Sequence, residues 1–142
     1  MKIKTTLFFL LTAHVLVAQQ WEKTWENSVA RATAENKKIV LVFSGSDWCI
    51  PCIRLENEVW KSTEFQSFAS DNLVLFRADF PKRKKNKLPE AQQAANDRLA
   101  DQYNPKGYFP LVLVFSPDQQ LLGSFAYEKK SVKAYIDQIA AL

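Results

Sequence analysis

Ser44-Gly45-Ser46-Asp47-Trp48-Cys49-Ile50-Pro51-Cys52 is the stretch on which the reading of this chain turns. It contains the only two cysteines, spaced C-x-x-C. Upstream, Ile39-Val40-Leu41-Val42-Phe43 is a continuous apolar run rich in β-branched residues, the pattern of a buried strand. Downstream, Ile53, Leu55, Val59 and Trp60 recur among Arg54, Glu56, Asn57, Glu58 and Lys61, the pattern of an amphipathic helix. Ser44 to Asp47 is the loop between them. Pro51 suits the first helical turn, where a missing N–H costs nothing. Cys49 therefore falls at the strand-to-helix junction, where free N–H groups and the helix dipole favour negative charge. A thiol placed there loses its proton more readily, and the thiolate is the reactive form. Cys52, three residues on, is near enough to close a small disulfide. The expected roles are Cys49 as attacking nucleophile and Cys52 as resolving thiol.

Two other readings of the pair stand beside this one. A structural staple across so short a loop constrains the unfolded chain by only about 2 kcal/mol. Half of a metal site needs partners: zinc takes about four ligands, whereas the chain has two cysteines and one histidine, His14. That histidine lies in a segment expected to be removed, so no metal is expected unless a dimer shares the site.

The motif Trp48-Cys49-Ile50-Pro51-Cys52 after a hydrophobic strand resembles the W-C-x-P-C active site of thioredoxins. Gly107-Tyr108-Phe109-Pro110, followed by Leu111-Val112-Leu113-Val114-Phe115, is similar to that family's cis-proline loop and its next strand. The likeness runs in order along nearly all of the chain after its leader. The Ser44–Asp47 loop and the leader make the chain most similar to secreted bacterial thioredoxin-like proteins and to the C-terminal domains of periplasmic disulfide-interchange proteins.

The resemblance implies an α/β thioredoxin fold, a central mixed sheet flanked by helices. It implies that the Phe109–Pro110 bond is cis and that Pro110 lies beside the cysteines. Phe109 then offers its backbone to an extended substrate segment, much as a strand adds to a sheet edge. On the residues alone, Pro110 reads as a proline opening a strand. The same resemblance makes Trp48 a shield and docking surface, though as a bare residue it could equally be core. Ile50 and Pro51 form the active-site loop between the cysteines. Asp47 tunes Cys49 or solvates the loop, and no catalytic role is assigned to it.

Two departures bear on mechanism. Thioredoxins usually carry a buried Asp six residues before the first cysteine; here Phe43 stands there. The lysine often paired with that Asp falls near Leu75. Glu56, one turn after Cys52, is the nearest carboxylate by spacing but reads as a solvated helix residue. The proton of Cys52 is then expected to pass to water. No histidine separates the cysteines, which argues for a reducing rather than a strongly oxidising couple.

Residues 1–18 have the layout of a secretory signal peptide: Lys2 and Lys4, a mostly apolar stretch from Leu7 to Val17, and small Ala18. A membrane span needs about 20 apolar residues, so no stable insertion is expected after cleavage. No cysteine near the cut invites lipid anchoring. Residues 19–142 are expected to form one domain, in the periplasm or outside the cell. Of 142 residues, 47% are hydrophobic, enough for a core of its own. Net charge is +4, but Lys2 and Lys4 leave with the leader, so the mature balance of +2 says little about partners.

Along that domain, Trp21 to Asn36 reads as a helix with Trp21, Trp25, Val29 and Ala32 on one face. Asn36-Lys37-Lys38 ends it. Ser62-Thr63 caps a short helix holding Phe65, Phe68 and Ala69, Asp71-Asn72 is a turn, and Leu73 to Phe80 is a strand stopped by Pro81. Pro81 to Pro89 is a solvated loop with Lys82, Arg83, Lys84, Lys85 and Lys87; contact with an acidic partner or anionic surface is the other reading. Glu90 to Tyr103 reads as a helix with Ala94, Leu99 and Tyr103 inward. Asn104 to Gly107 breaks it, Ser116 to Gln119 turns a hairpin into Leu121 to Tyr127, and Ser131 caps a last helix with Val132, Tyr135, Ile136 and Ile139 on one face.

These features make an exported thiol–disulfide oxidoreductase the expected function, reducing or exchanging protein disulfides. No cofactor is expected, since no Gly-rich phosphate loop is present, and no nucleic-acid partner. Electrons are expected from another thiol protein, a membrane-borne reductase. The alternative is a binding or chaperone-like module in which the cysteines are idle.

Overall fold

The computed structural model describes residues 20–142; the leader expected over residues 1–18 lies outside them. Five strands form one mixed sheet: β1 (Trp21–Glu22), β2 (Lys38–Ser44), β3 (Leu73–Asp79), β4 (Leu111–Phe115) and β5 (Leu121–Phe125), in the order β1-β3-β2-β4-β5. β1, β3 and β2 run parallel, β4 runs antiparallel to β2, and β5 runs antiparallel to β4. Five helices cover the sheet: α1 (Trp25–Glu35), α2 (Ile50–Leu55), α3 (Thr63–Asn72), α4 (Glu90–Tyr103) and α5 (Val132–Ala141).

The central strand β2 is apolar on both faces because both are covered. Val40 and Val42 face α2, α3 and α5, where Leu55, Phe65, Ala69, Tyr135 and Ile139 complete one core. Ile39, Leu41 and Phe43 face the other way, packing with Ala32 of α1, Leu99 of α4 and Phe76 and Phe115 of the sheet. The helix caps expected from Ser62 and Ser131 are present: each hydroxyl accepts the N–H three residues on.

Four details differ from the linear pattern. α1 starts at Trp25, because Thr24 is extended and its hydroxyl accepts the Asn27 N–H. Trp21 belongs instead to β1, paired with Leu75. The two tryptophans therefore sit on opposite sides of the sheet: Trp21 meets Trp60 edge-on, and Trp25 meets Phe76 and Phe115. α3 runs through Asp71-Asn72 directly into β3, with no intervening turn. The helix after the cysteines passes into a π-helical turn over Glu56–Trp60, which lets adjacent Val59 and Trp60 both reach the core. In α4, Leu99 is buried as expected, but the other buried residue of the helix is Asn96, and Ala94 is only half-buried. The Asn96 side-chain amide donates to the Asp79 carbonyl at 2.9 Å and so ties α4 to the end of β3.

Candidate active site

The site is built where β2 ends. Ser44 is its last residue, and its carbonyl accepts the Phe80 N–H at 2.8 Å. The chain then turns through Gly45, whose carbonyl accepts the N–H of Cys49 at 2.9 Å. A Cβ on Gly45 would lie 2.3 Å from the Trp48 ring, so only glycine lets the indole fold back over the loop. Ser46 is held by Asp79, whose carboxylate accepts its N–H at 2.9 Å and its hydroxyl at 2.5 Å.

Cys49 is the residue before α2, in extended conformation, and Pro51 occupies the first turn. Cys49 and Cys52 are joined by a disulfide, with Cα atoms 5.2 Å apart. Both are buried, and the Cys52 N–H points at the Cys49 sulfur at 3.3 Å. A donor aimed at that sulfur favours its anionic form once the bond is reduced. Ile50, between them, is 60% exposed, and Pro51 is exposed as well.

Phe109 of the proline loop is brought against Trp48, the neighbour of Cys49. The Phe109–Pro110 peptide bond is cis, and Pro110 is buried. The Phe109 ring meets Trp48 edge-on at 5.4 Å and Phe80 at 5.6 Å. Phe80 in turn stacks on Phe43 at 6.4 Å, and the Trp48 indole N–H donates to the Phe80 carbonyl at 2.7 Å. Phe43 thus ends an aromatic chain that ties the proline loop to the motif.

Sequence reasoning missed what braces this frame. Asn104, read only as a helix breaker, is buried and clamps the proline loop: its side chain donates to the Tyr108 carbonyl and accepts the Tyr108 N–H, both at 2.9 Å. Gly107 between them has φ of +67°. Asp47 accepts the backbone N–H groups of Lys82 and Arg83 at 2.9 and 3.0 Å and the Asn86 side chain at 2.8 Å. Those bonds, the Lys82 N–H foremost, hold its carboxyl below the usual carboxylate range. Glu56 is not simply solvated. It forms an ion pair with Arg77 of β3, which lies on the same face as Leu75, and Arg77 also covers the Trp21 ring at 4.2 Å. A cation therefore does sit on this strand, two residues beyond the position expected from the resemblance.

Comparison with known proteins agrees with this geometry. Residues 20–117 match the family model described as thioredoxin-like. The chain is 33% identical over 120 residues to the disulfide bond reductase DsbH of Chlamydia pneumoniae, covering 84% of this chain and 70% of that one. A solved DsbH oxidoreductase superposes with a TM-score of 0.80 at 27% identity, covering 99% of this chain and 93% of the other. The oxidised C-terminal domain of Neisseria meningitidis DsbD shares the fold, with a TM-score of 0.57 at 19% identity over 82% and 90% of the two chains. A sulfur pair seated on this fold, in a chain so related, leaves one conclusion: the protein belongs to the thioredoxin-like family and is a thiol–disulfide oxidoreductase.

Proposed function

We propose that the protein is exported and works as a reductase of protein disulfides, with Cys49 as nucleophile and Cys52 as resolving thiol. The observation that carries this is the Cys49–Cys52 pair at the start of α2, with the Cys52 N–H aimed at the Cys49 sulfur. In the reduced protein, the Cys49 thiolate attacks one sulfur of a substrate disulfide. A Cys49–substrate bond forms, and the substrate's second sulfur leaves as a thiolate and takes a proton. Cys52 then loses its proton and attacks the Cys49 sulfur. The second substrate thiol is released, the protein is left oxidised, and two electrons have passed to the substrate. Glu56 is engaged by Arg77, so the Cys52 proton passes to water.

Trp48, Phe109 and Pro110 supply the docking surface, flanked by exposed Ile50 and by Tyr108, 58% exposed. Ile50 and Pro51 space the two sulfurs. A second thiol protein returns the electrons, a membrane-borne reductase in this proposal. No described helix is long and apolar enough to cross a membrane. The export reading rests on the signal-like layout of residues 1–18.

The test is equilibration of the pair with glutathione. A potential below about −220 mV supports the reductase; a value near about −120 mV indicates an oxidase instead. No exchange by the folded protein refutes the redox reading and favours a binding module, for which the missing buried acid at Phe43 is the one structural argument. A Cys52→Ser variant should accumulate mixed disulfides with substrate, and a Cys49→Ser variant should not.

A further inference from the structure

We infer that the basic loop 82–87 is the specificity rim of the dithiol site and selects protein partners whose disulfide is flanked by acidic residues. This rests on Cys49–Cys52 being the working pair. Five of the six residues from 82 to 87 are cationic: Lys82, Arg83, Lys84, Lys85 and Lys87. A loop that merely solvates its charges needs no fixed position. This one is pinned to the motif. Asp47, two residues before Cys49, accepts both the Lys82 and Arg83 amides and the Asn86 side chain. The Lys82 ammonium rests over the Trp48 ring at 4.0 Å, and Trp48 adjoins Cys49.

The anchor uses two backbone amides and the Asn86 side chain, so none of the ammonium groups of Lys84, Lys85 and Lys87 is spent on it. All six residues of the loop are exposed. Four lysines elsewhere, Lys37, Lys61, Lys130 and Lys133, each face a carboxylate. Those with no ion pair among the described residues, such as Lys23, Lys38 and Lys106, stand apart from one another in sequence rather than in a run. Lys84, Lys85 and Lys87 form no ion pair among the described residues. Like charges held close and unneutralised repel one another, and a fixed patch of one sign draws the opposite sign to the surface beside it. The apolar surface of Ile50, Tyr108 and Trp48 receives the residues around a substrate disulfide, and the loop meets its acidic flank. An anionic bilayer would attract the same charges, but it would press the dithiol face against lipid and shut substrates out.

The test compares two peptides with one common disulfide, flanked by aspartates in one and by lysines in the other, alongside uncharged bis(2-hydroxyethyl) disulfide. At about 10 mM ionic strength the purified protein, first reduced with dithiothreitol and freed of it, should reduce the acidic peptide about tenfold faster than the basic one, and the preference should collapse in about 0.5 M salt. The triple variant Lys84→Glu, Lys85→Glu, Lys87→Glu should reverse the preference and leave the hydroxyethyl disulfide rate unchanged. Equal peptide rates with normal hydroxyethyl disulfide reduction overturn the docking proposal alone. Reduction of no disulfide overturns the redox reading, and the rim is then decided by whether the acidic peptide still binds more tightly, read by tryptophan fluorescence. A triple variant that keeps the peptide preference but loses binding to phosphatidylserine vesicles also overturns the proposal, assigning the loop to membranes.

Discussion

Replacing Phe43 by aspartate restores the acid that thioredoxins carry at this position, and it should strip the protein of much of its stability rather than quicken its turnover. Phe43 is fully buried, paired with Ala78 and Leu111 across the sheet and stacked on Phe80. Truncating a buried Phe costs about 3–5 kcal/mol. An uncharged carboxyl left there without a partner adds about 1–3 kcal/mol. The sum, about 4–8 kcal/mol, rivals the whole stability of a domain of this size, about 5–15 kcal/mol.

Burial also gives the loss a pH signature. The carboxyl stays protonated in the fold but ionises in the unfolded chain near its ordinary pKa of about 3.9. The folded pKa is thus raised, so the variant is best placed below that value and loses stability as pH rises, by about 1.4 kcal/mol per unit up to the folded pKa. Between pH 5 and pH 7 the deficit relative to wild type should widen by up to about 2.7 kcal/mol. Urea unfolding followed by tryptophan fluorescence at both pH values measures this. Phe43→Leu, which keeps the site apolar, should remain folded at both. A variant Phe43→Asp as stable as wild type, or a deficit that does not change with pH, would refute the packing argument and show that the position can hold an acid.

Asp47 has the opposite sign. Its folded pKa is depressed, chiefly by the Lys82 N–H, below the ordinary 3.8; its hold on the loop is present above 3.8 and lost as pH falls through the folded value. Amide resonances of Lys82 and Arg83 should therefore titrate together with a midpoint below 3.8, and a midpoint at or above that value contradicts the anchor. For Glu56 and Arg77, whose side chains are 25% and 26% exposed, a double-mutant cycle with Glu56→Gln and Arg77→Met should give a coupling of about 1 kcal/mol in unfolding free energy. A coupling near zero, with slower thiol exchange in Glu56→Gln, would assign Glu56 the role of proton acceptor.

What could be read from the sequence was local. The Ile39–Phe43 run, Pro51 in the first turn after Cys49, and the Ser62 and Ser131 caps each declare themselves within a few residues, and the structure has them all. Trp21 shows where such reading ends. Its helical spacing from Trp25 is real, but Thr24 caps the helix between them, and pairing with Leu75, distant in sequence, decides the rest. The Thr24 cap was the signal available. Asp47 and Arg77 belong to the other class: each looks like an ordinary polar residue until the fold brings its partner from elsewhere. Asp47 and the loop it holds lie 35 residues apart or more, so no window of sequence links the basic run to the cysteines. That separation makes the loop's charges the least legible and the most testable feature of this oxidoreductase.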